Sequence, residues 1–441
     1  MMKLAGKTVM VVGLGATGIA AAKFLAARGV KLVLADRRAD LDRADLPPGD
    51  VQLGPEDPRR LAGVDLVIPS PGVPRDAVLL AGAVARKIPV LGEIELASRF
   101  ISAPIAAITG TNGKSTVTVL LGEILKAAGM NPFVGGNLGL PLISAVDGVY
   151  DAIVAEVSSF QLEWVEHFKP KVAVHLNLTD DHFDRYRDLE DYGAAKARIF
   201  ANQDGGDWAI LNRDDPIVWK LAKSVRSRVF GFGFVASGDA PAIWPERNAL
   251  LFNLGSRRGQ ISLAGFRLAG RHNVSNAMAA AAAALAMFVD ENVIERALRA
   301  FPGLSHRMEF VRERNGITWI DDSKGTNVGA VVAALEAVAA PVVLIAGGVD
   351  KGGDYSPLIA PLRRKVSRAI LIGAAREQMR VALAGACALD LVATLAEAVE
   401  RAAQVARKGD TVLLSPACSS FDQFKDYAER GNVYQKLVRA L

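Results

Sequence analysis

The sequence predicts an α/β protein of three domains, each a mostly parallel sheet flanked by helices. Three observations predict it. Short β-branched runs alternate with alanine- and leucine-rich helical stretches almost from end to end, the pattern of strand–helix–strand units. Glycine-rich loops stand where such runs end, which is where α/β sheets place ligands. The length of 441 residues, at about 150 residues per domain, allows three domains.

The first domain is expected over residues 1–92, with strands at 8–12, 31–35 and 66–69 and loops forced by Pro47-Pro48 and by Pro69 to Pro74. A second, 93–301, opens with a helix at 93–99 and a strand at 105–109. A glycine loop, a long helix, strands at 152–156 and 172–176 and a helix from 273 to about 288 follow. Pro302-Gly303 makes the next break, and a third domain, 302–441, carries strands at 317–321, 342–346, 369–372 and 411–415. No repeat at solenoid spacing interrupts this order.

Composition excludes several classes. Half of the residues are apolar and 22% charged, the balance of an ordinary globular protein with a sizeable core. The two cysteines, Cys387 and Cys418, are far apart and lack ligand spacing, so neither a disulfide framework nor a cysteine zinc site is expected and a reducing cytoplasm fits. Lys7-Thr8 leads directly into an apolar strand and a glycine loop, which reads as the start of a domain rather than a signal peptide. The most apolar stretch, 277–289, is shorter than the roughly 20 residues that span a bilayer, so no membrane partner is expected. The net charge of +5 is mild, and basic clusters such as Arg363-Arg364-Lys365 lack interleaved aromatics, so no nucleic-acid partner is expected. Anionic small molecules fit.

Two loops carry nucleotide-like patterns. Gly13-Leu14-Gly15-Ala16-Thr17-Gly18 follows a strand, and Asp36 ends the next one, the arrangement that offers amides to a diphosphate and an acid to a ribose or base. On those residues alone the loop suits an NAD-dependent oxidoreductase, a UDP-sugar or a ligand-free tight turn. The run Gly110-Thr111-Asn112-Gly113-Lys114-Ser115-Thr116 is sharper. A glycine turn between strand and helix exposes amides to phosphates, a lysine neutralises them and a hydroxyl can ligate Mg2+. Ile108 stands where a strict phosphate loop has glycine, so this loop is a variant. A chain carrying both loops is not expected to be a plain dehydrogenase.

Glu156 ends an apolar strand and precedes Ser158-Ser159-Phe160-Gln161; an acid there suits a Mg2+ ligand. His182 stands among acids in Thr179-Asp180-Asp181-His182-Phe183-Asp184 and could ligate metal or touch phosphate, or cap a solvated loop. His167 and His175 have no such company and read as structural. Lys196 lies in Tyr192-Gly193-Ala194-Ala195-Lys196, which by spacing alone is an exposed amphipathic helix with a surface lysine.

Taken in order, these motifs resemble the Mur ligase family. The resemblance covers all three domains and adds Gly136 to Pro141, Gly270-Arg271-His272-Asn273 to Asn276, Ser305-His306-Arg307, Asp321 to Asn327 and Ser415 to Phe424. It implies a Rossmann-like first domain, a phosphate-loop ATPase centre and a Rossmann-like third domain. It also implies a cytoplasmic, monomeric, ATP- and Mg2+-dependent ligase of cell-wall precursor synthesis, adding D-glutamate to UDP-N-acetylmuramoyl-L-alanine. By the same resemblance, Leu14, Gly15, Ala16, Thr17, Asp36 and Arg37 hold the uridine diphosphate. Asn137, Ser158, Gln161 and His182 face the muramoyl end. Residues 110–116 with Asn276, Arg307 and Asp322 hold ATP. Ser115 and Glu156 serve one Mg2+; His182 and Lys196 serve a second, with Lys196 as a carbamate made from CO2. Lys114, His182 and Lys196 form the catalytic set, and Lys324, Thr326, Lys351, Ser420 and Phe421 place D-glutamate. Gly325 and Phe421 depart from the residues that relatives often carry, which touches the fine shape of that pocket. Another amide ligase of the same family, an NAD-dependent oxidoreductase and a nucleotide-binding protein without turnover are the rival readings.

Overall fold

A computed structural model describes residues 2–238, 240–266, 268 and 270–441. Three sheets organise the chain. The first has four parallel strands, β1 (Thr8–Val12), β2 (Lys31–Asp36), β3 (Asp50–Leu53) and β4 (Leu66–Pro69), in the order β3-β2-β1-β4. The order reverses at β1, so the chain leaves β1 and β4 in opposite directions and opens a crevice at Gly13, where such folds bind ligands.

The second sheet holds β5 (Ile105–Thr109), β6 (Pro132–Gly136), β7 (Ala152–Glu156), β8 (Val172–His175), β9 (Trp208–Asn212) and β10 (Arg228–Phe232). It ends in β11 (Ala242–Glu246), β12 (Ala249–Asn253) and β13 (Arg258–Ser262), the last two antiparallel. The order is β13-β12-β11-β10-β9-β8-β5-β7-β6. Strand β5 is central, and every one of its residues is buried, which is why it reads as a continuous apolar run without alternation. The register sets Ile108 beside Glu156 on one side and Thr109 beside His175 on the other.

The third sheet runs β14-β15-β19-β16-β17-β18, from β14 (Glu309–Arg314), β15 (Ile317–Asp321), β16 (Val342–Gly347), β17 (Val366–Ile372), β18 (Ala388–Leu391) and β19 (Thr411–Leu414). Only β14 is antiparallel to its neighbour. Alternate residues feed two cores: Val343, Ile345, Val412 and Leu414 meet the helices Leu395–Val405 and Tyr427–Ala440 on one face. Val342, Leu344 and Ala346 meet Val331, Leu335, Leu362 and Met379 on the other. The register aligns the ends of Asp321, Leu414 and Ile345, so three loops leave the sheet side by side.

Contacts divide the chain into two compact units. The first holds the first two sheets; the second is built from 178–189, 265–275 and 300–441. The loop with His182 therefore packs with the third sheet, although it follows β8 in sequence.

Candidate active site

In the first unit, β1 hands the chain to the helix Ala16–Ala26 through Gly13 and Gly15. Leu14 is buried, and its amide donates to Asp36 Oδ2 at 2.7 Å. Asp36 also accepts from the Arg38 amide and Nε, each at 2.9 Å. The Arg38 guanidinium is the largest cause holding the Asp36 carboxyl down, from 3.8 to about 2. Arg37 turns the other way, to Glu56 Oε1 at 2.7 Å. Beside them is a cavity of about 200 Å³, lined by Gly13, Asp36, Arg37, Glu56 and Val73 among others. Asp36 thus shapes the loop with acceptors already committed, while Ala16 and Thr17 open the helix behind it.

The phosphate loop follows β5. Gly113 adopts φ +87°, and a Cβ there would collide with the Asn276 Oδ1, so glycine lets Asn276 close onto the start of the helix Lys114–Ala127. The Lys114 Nζ donates to the carbonyls of Gly110 and Thr111, each at 2.9 Å; the lysine folds over its own loop. Asn177 braces the loop, its Oδ1 accepting from the Asn112 amide at 2.8 Å. Thr116 is buried beneath.

The Ser115 hydroxyl donates to Glu156 Oε2 at 2.6 Å, and the Asn137 amide donates to Glu156 Oε1 at 2.8 Å. The β5–β7 register produces this meeting, because it brings Glu156 level with Ile108. The buried hydroxyl of Ser115 and carboxylate of Glu156 offer hard oxygen donors of the kind Mg2+ takes, so the two residues fit that ion. Ser158 and Gln161 are committed locally: they form a capping box on the helix Ser159–Leu162, with the Ser158 amide donating to Gln161 Oε1 at 2.9 Å.

Lys196 overturns the reading from spacing. It is 1% exposed, and its Nζ donates to the Gly110 carbonyl at 2.9 Å and lies 4.4 Å from the centre of the Tyr192 ring. The face that looked solvated is pressed on the phosphate loop. His175 is buried, its pKa lowered to about 3 by burial and then by the charge of Lys196.

The second unit gathers a different set. His182 has φ +59°, and its amide donates to the Asp181 side chain at 3.0 Å. Asp181 also accepts from Lys351 Nζ at 3.4 Å and Asn327 Nδ2 at 3.3 Å. Thr326, Lys351, Asp180, Asp181 and Tyr355 line a cavity of about 450 Å³. The other residues expected around D-glutamate lie outside its lining. Lys324 Nζ donates to the Tyr427 hydroxyl at 2.8 Å, Ser420 is buried, and Phe421 is 73% exposed. Asp322 is turned inward, accepting from the Ser415 hydroxyl at 2.7 Å, and burial raises its carboxyl to about 6. Arg307 keeps a buried Nε with no hydrogen-bond partner among the described residues.

Sequence reasoning passed over Arg38, Asp181, Glu93 and Arg430. Glu93 is buried, accepts from the Ile143 amide at 2.5 Å, and is raised to about 7 by burial. Arg38 and Asp181 stand next to residues that were singled out; Glu93 and Arg430 carry no local pattern.

Comparison with known proteins matches three successive segments to family descriptions: "MurD-like, N-terminal domain" over 7–92, "Mur ligase middle domain" over 108–284 and "Mur ligase, glutamate ligase domain" over 306–418. The chain is 47% identical to the UDP-N-acetylmuramoylalanine–D-glutamate ligase of Geotalea daltonii, covering 100% of this chain and 99% of that protein. It is 46% identical, at the same coverage, to the ligase of that name from Geotalea uraniireducens. Among solved structures it resembles MurF from Acinetobacter baumannii, with a TM-score of 0.62, 18% identity and coverage of 99% and 91%. It also resembles UDP-N-acetylmuramate–alanine ligase from Thermotoga maritima, with a TM-score of 0.60, 19% identity and coverage of 98% and 99%. These structural likenesses speak to the fold.

Proposed function

The chain belongs to the Mur ligase family, and we infer that it joins D-glutamate to UDP-N-acetylmuramoyl-L-alanine with ATP, in peptidoglycan precursor synthesis. The choice of amino acid and nucleotide sugar rests on full-length identity of 47% to a ligase of that name. The reaction class rests on one observation, the Ser115–Glu156 pair at 2.6 Å under the phosphate loop.

A carboxylate does not acylate an amine at neutral pH, because oxide is a poor leaving group. Transfer of the ATP γ-phosphoryl group to the muramoyl-alanine carboxylate gives an acyl phosphate and ADP. The D-glutamate amine then attacks that carbonyl, phosphate departs, and the amine proton passes to solvent or a nearby base. Lys114 serves the first step by leaving its loop carbonyls for the phosphates, bringing positive charge where two anions meet. Mg2+, held by Ser115 and Glu156, would supply further charge neutralisation there. The Asn137 amide keeps the Glu156 carboxylate turned toward Ser115.

The finer assignments are proposals. Residues 1–92 bind the uridine diphosphate through the loop at Leu14 to Thr17; residues 93–301 bind ATP, with Asn276 at the loop; residues 302–441 bind D-glutamate through Lys351 and Thr326. Arg307 is proposed to contact the nucleotide. Lys196 is proposed as a carbamate ligand for a second Mg2+; its burial against Gly110 supports the role. No helix among the described residues is long and apolar enough to cross a membrane.

Phosphate release from ATP in the presence of UDP-N-acetylmuramoyl-L-alanine tests the reaction. Release is expected to need D-glutamate; equal release with L-glutamate, or none with either, would overturn it.

A further inference from the structure

We propose that Arg430 is a positioning residue for D-glutamate, clamping from beneath the three loops that frame its cavity; this rests on the reading of Lys351 and Thr326 as part of that site. Arg430 sits in the first turn of the helix Tyr427–Ala440 and is 1% exposed. Its Nε donates to Ser323 Oγ at 3.0 Å and its Nη2 to the Ser323 carbonyl at 2.9 Å. Both terminal nitrogens reach the Cys418 carbonyl at 3.3 Å, and Nη1 reaches the Gly347 carbonyl at 3.5 Å. Those partners head the loops after β15, β19 and β16. Thr326 is three residues past Ser323, Ala417 directly precedes Cys418, and Lys351 is four past Gly347; all three line the cavity.

Burying a guanidinium is costly, and a sheet end needing only packing is better served by an apolar side chain. Here the cation forms no hydrogen bond to a carboxylate among the described residues; its donors are spent on loop carbonyls and one hydroxyl. The loops are also tied to one another. Val349 and Ser419 exchange backbone hydrogen bonds at 2.9 and 3.1 Å, and the Ala417 amide donates to the Gly325 carbonyl at 2.9 Å. Gly348, at φ +139°, allows the approach, since a Cβ there would collide with the Ser419 carbonyl. A planar fork of five donors can span three loops; an ammonium on a flexible stem cannot hold the same separation. Arg430 therefore fixes the spacing between the loops that bring Thr326, Ala417 and Lys351 to the cavity where D-glutamate would bind.

The test uses the full chain, with Arg430→Lys, Ser323→Ala and the control Lys351→Ala. KM is measured for each of the three substrates. Acyl phosphate formed without D-glutamate is trapped with hydroxylamine. Arg430→Lys is expected to raise KM for D-glutamate about tenfold or more. The other two KM values should stay within about twofold, and acyl phosphate trapping should persist. Ser323→Ala removes one contact and is expected to give a smaller rise, about threefold; it carries the test if the lysine variant does not fold. A D-glutamate KM that stays put, or three KM values that rise together, overturns the inference. If Lys351→Ala leaves the D-glutamate KM unmoved, the site reading itself fails and the inference with it. If Lys351→Ala raises it and neither other variant does, only the role of Arg430 falls.

Discussion

Asp36→Asn is expected to destabilise the protein at neutral pH and to weaken its hold on the UDP substrate, without touching any affinity for NAD. The carboxylate accepts from Leu14 and from three nitrogens of Arg38, and its pKa is lowered from 3.8 to about 2. A carboxyl held that far down favours its ionised form by about 2 kcal/mol. The Arg38 side chain is 54% exposed, and solvent screening takes a share of that, leaving about 1–1.5 kcal/mol. A lowered carboxyl pKa contributes stability that is whole above 3.8 and disappears as pH falls through 2. The gap between parent and variant should therefore be constant from pH 7 to 5 and shrink below pH 4. Urea denaturation at pH 7, 5 and 3.5 reads that gap, and calorimetry reads the ligands, with UDP-substrate affinity expected to fall about tenfold. A variant as stable as the parent at pH 7 would refute the reasoning. So would micromolar NAD binding that the substitution removes, since the acid would then be serving a ribose.

Lys114→Ala should abolish ATP-dependent phosphate release while calorimetry still finds the UDP substrate bound, because the two loops end different sheets; near-normal turnover would discard the phosphate-loop assignment. Glu93→Gln should keep the acceptor for the Ile143 amide yet remove a titration raised by burial from 4.5 to about 7. A raised carboxyl pKa means the parent loses stability as pH climbs through that range, by up to about 1.4 kcal/mol per pH unit. The glutamine variant should therefore gain on it from pH 5 to 8, and parallel stability curves would exclude a buried acid. Lys196→Ala should be nearly inactive and regain part of its turnover in buffers containing formate or acetate, measured as phosphate release; equal restoration by chloride would remove the carbamate.

Much of this could be read from the chain, and the failures have physical reasons. The phosphate loop, Glu156 and the central strands were legible because β5 and β7 are buried on both faces and end in chemically distinct residues. Strands β3, β6, β13, β14 and β18 were missed at sheet edges, where strands such as β14 and β18 mix polar with apolar residues; β9 to β12 were missed as well, although they lie inside the second sheet. Lys196 was misread for a related reason. Its helix is rich in alanine and charge, and what buries the lysine is a loop that ends more than eighty residues earlier. Arg430 gave no signal, since all but one of its partners, the Ser323 hydroxyl, are carbonyl oxygens, and main-chain acceptors leave no trace in residue identity. Ser158 and Gln161 show the reverse case: a motif spaced for a helix cap is using its side chains as one.

The second unit takes its cavity wall from Thr179, Asp180, Asp181 and Phe183, and Asn327 reaches Asp181 across 146 residues of chain. The piece that begins at residue 302 is therefore not a self-sufficient cassette. A chimaera joined there would graft a new floor onto an old wall, and its selectivity would belong to neither parent. A splice that exchanges residues 178–189 and 265–275 along with 300–441 moves the whole compartment at once.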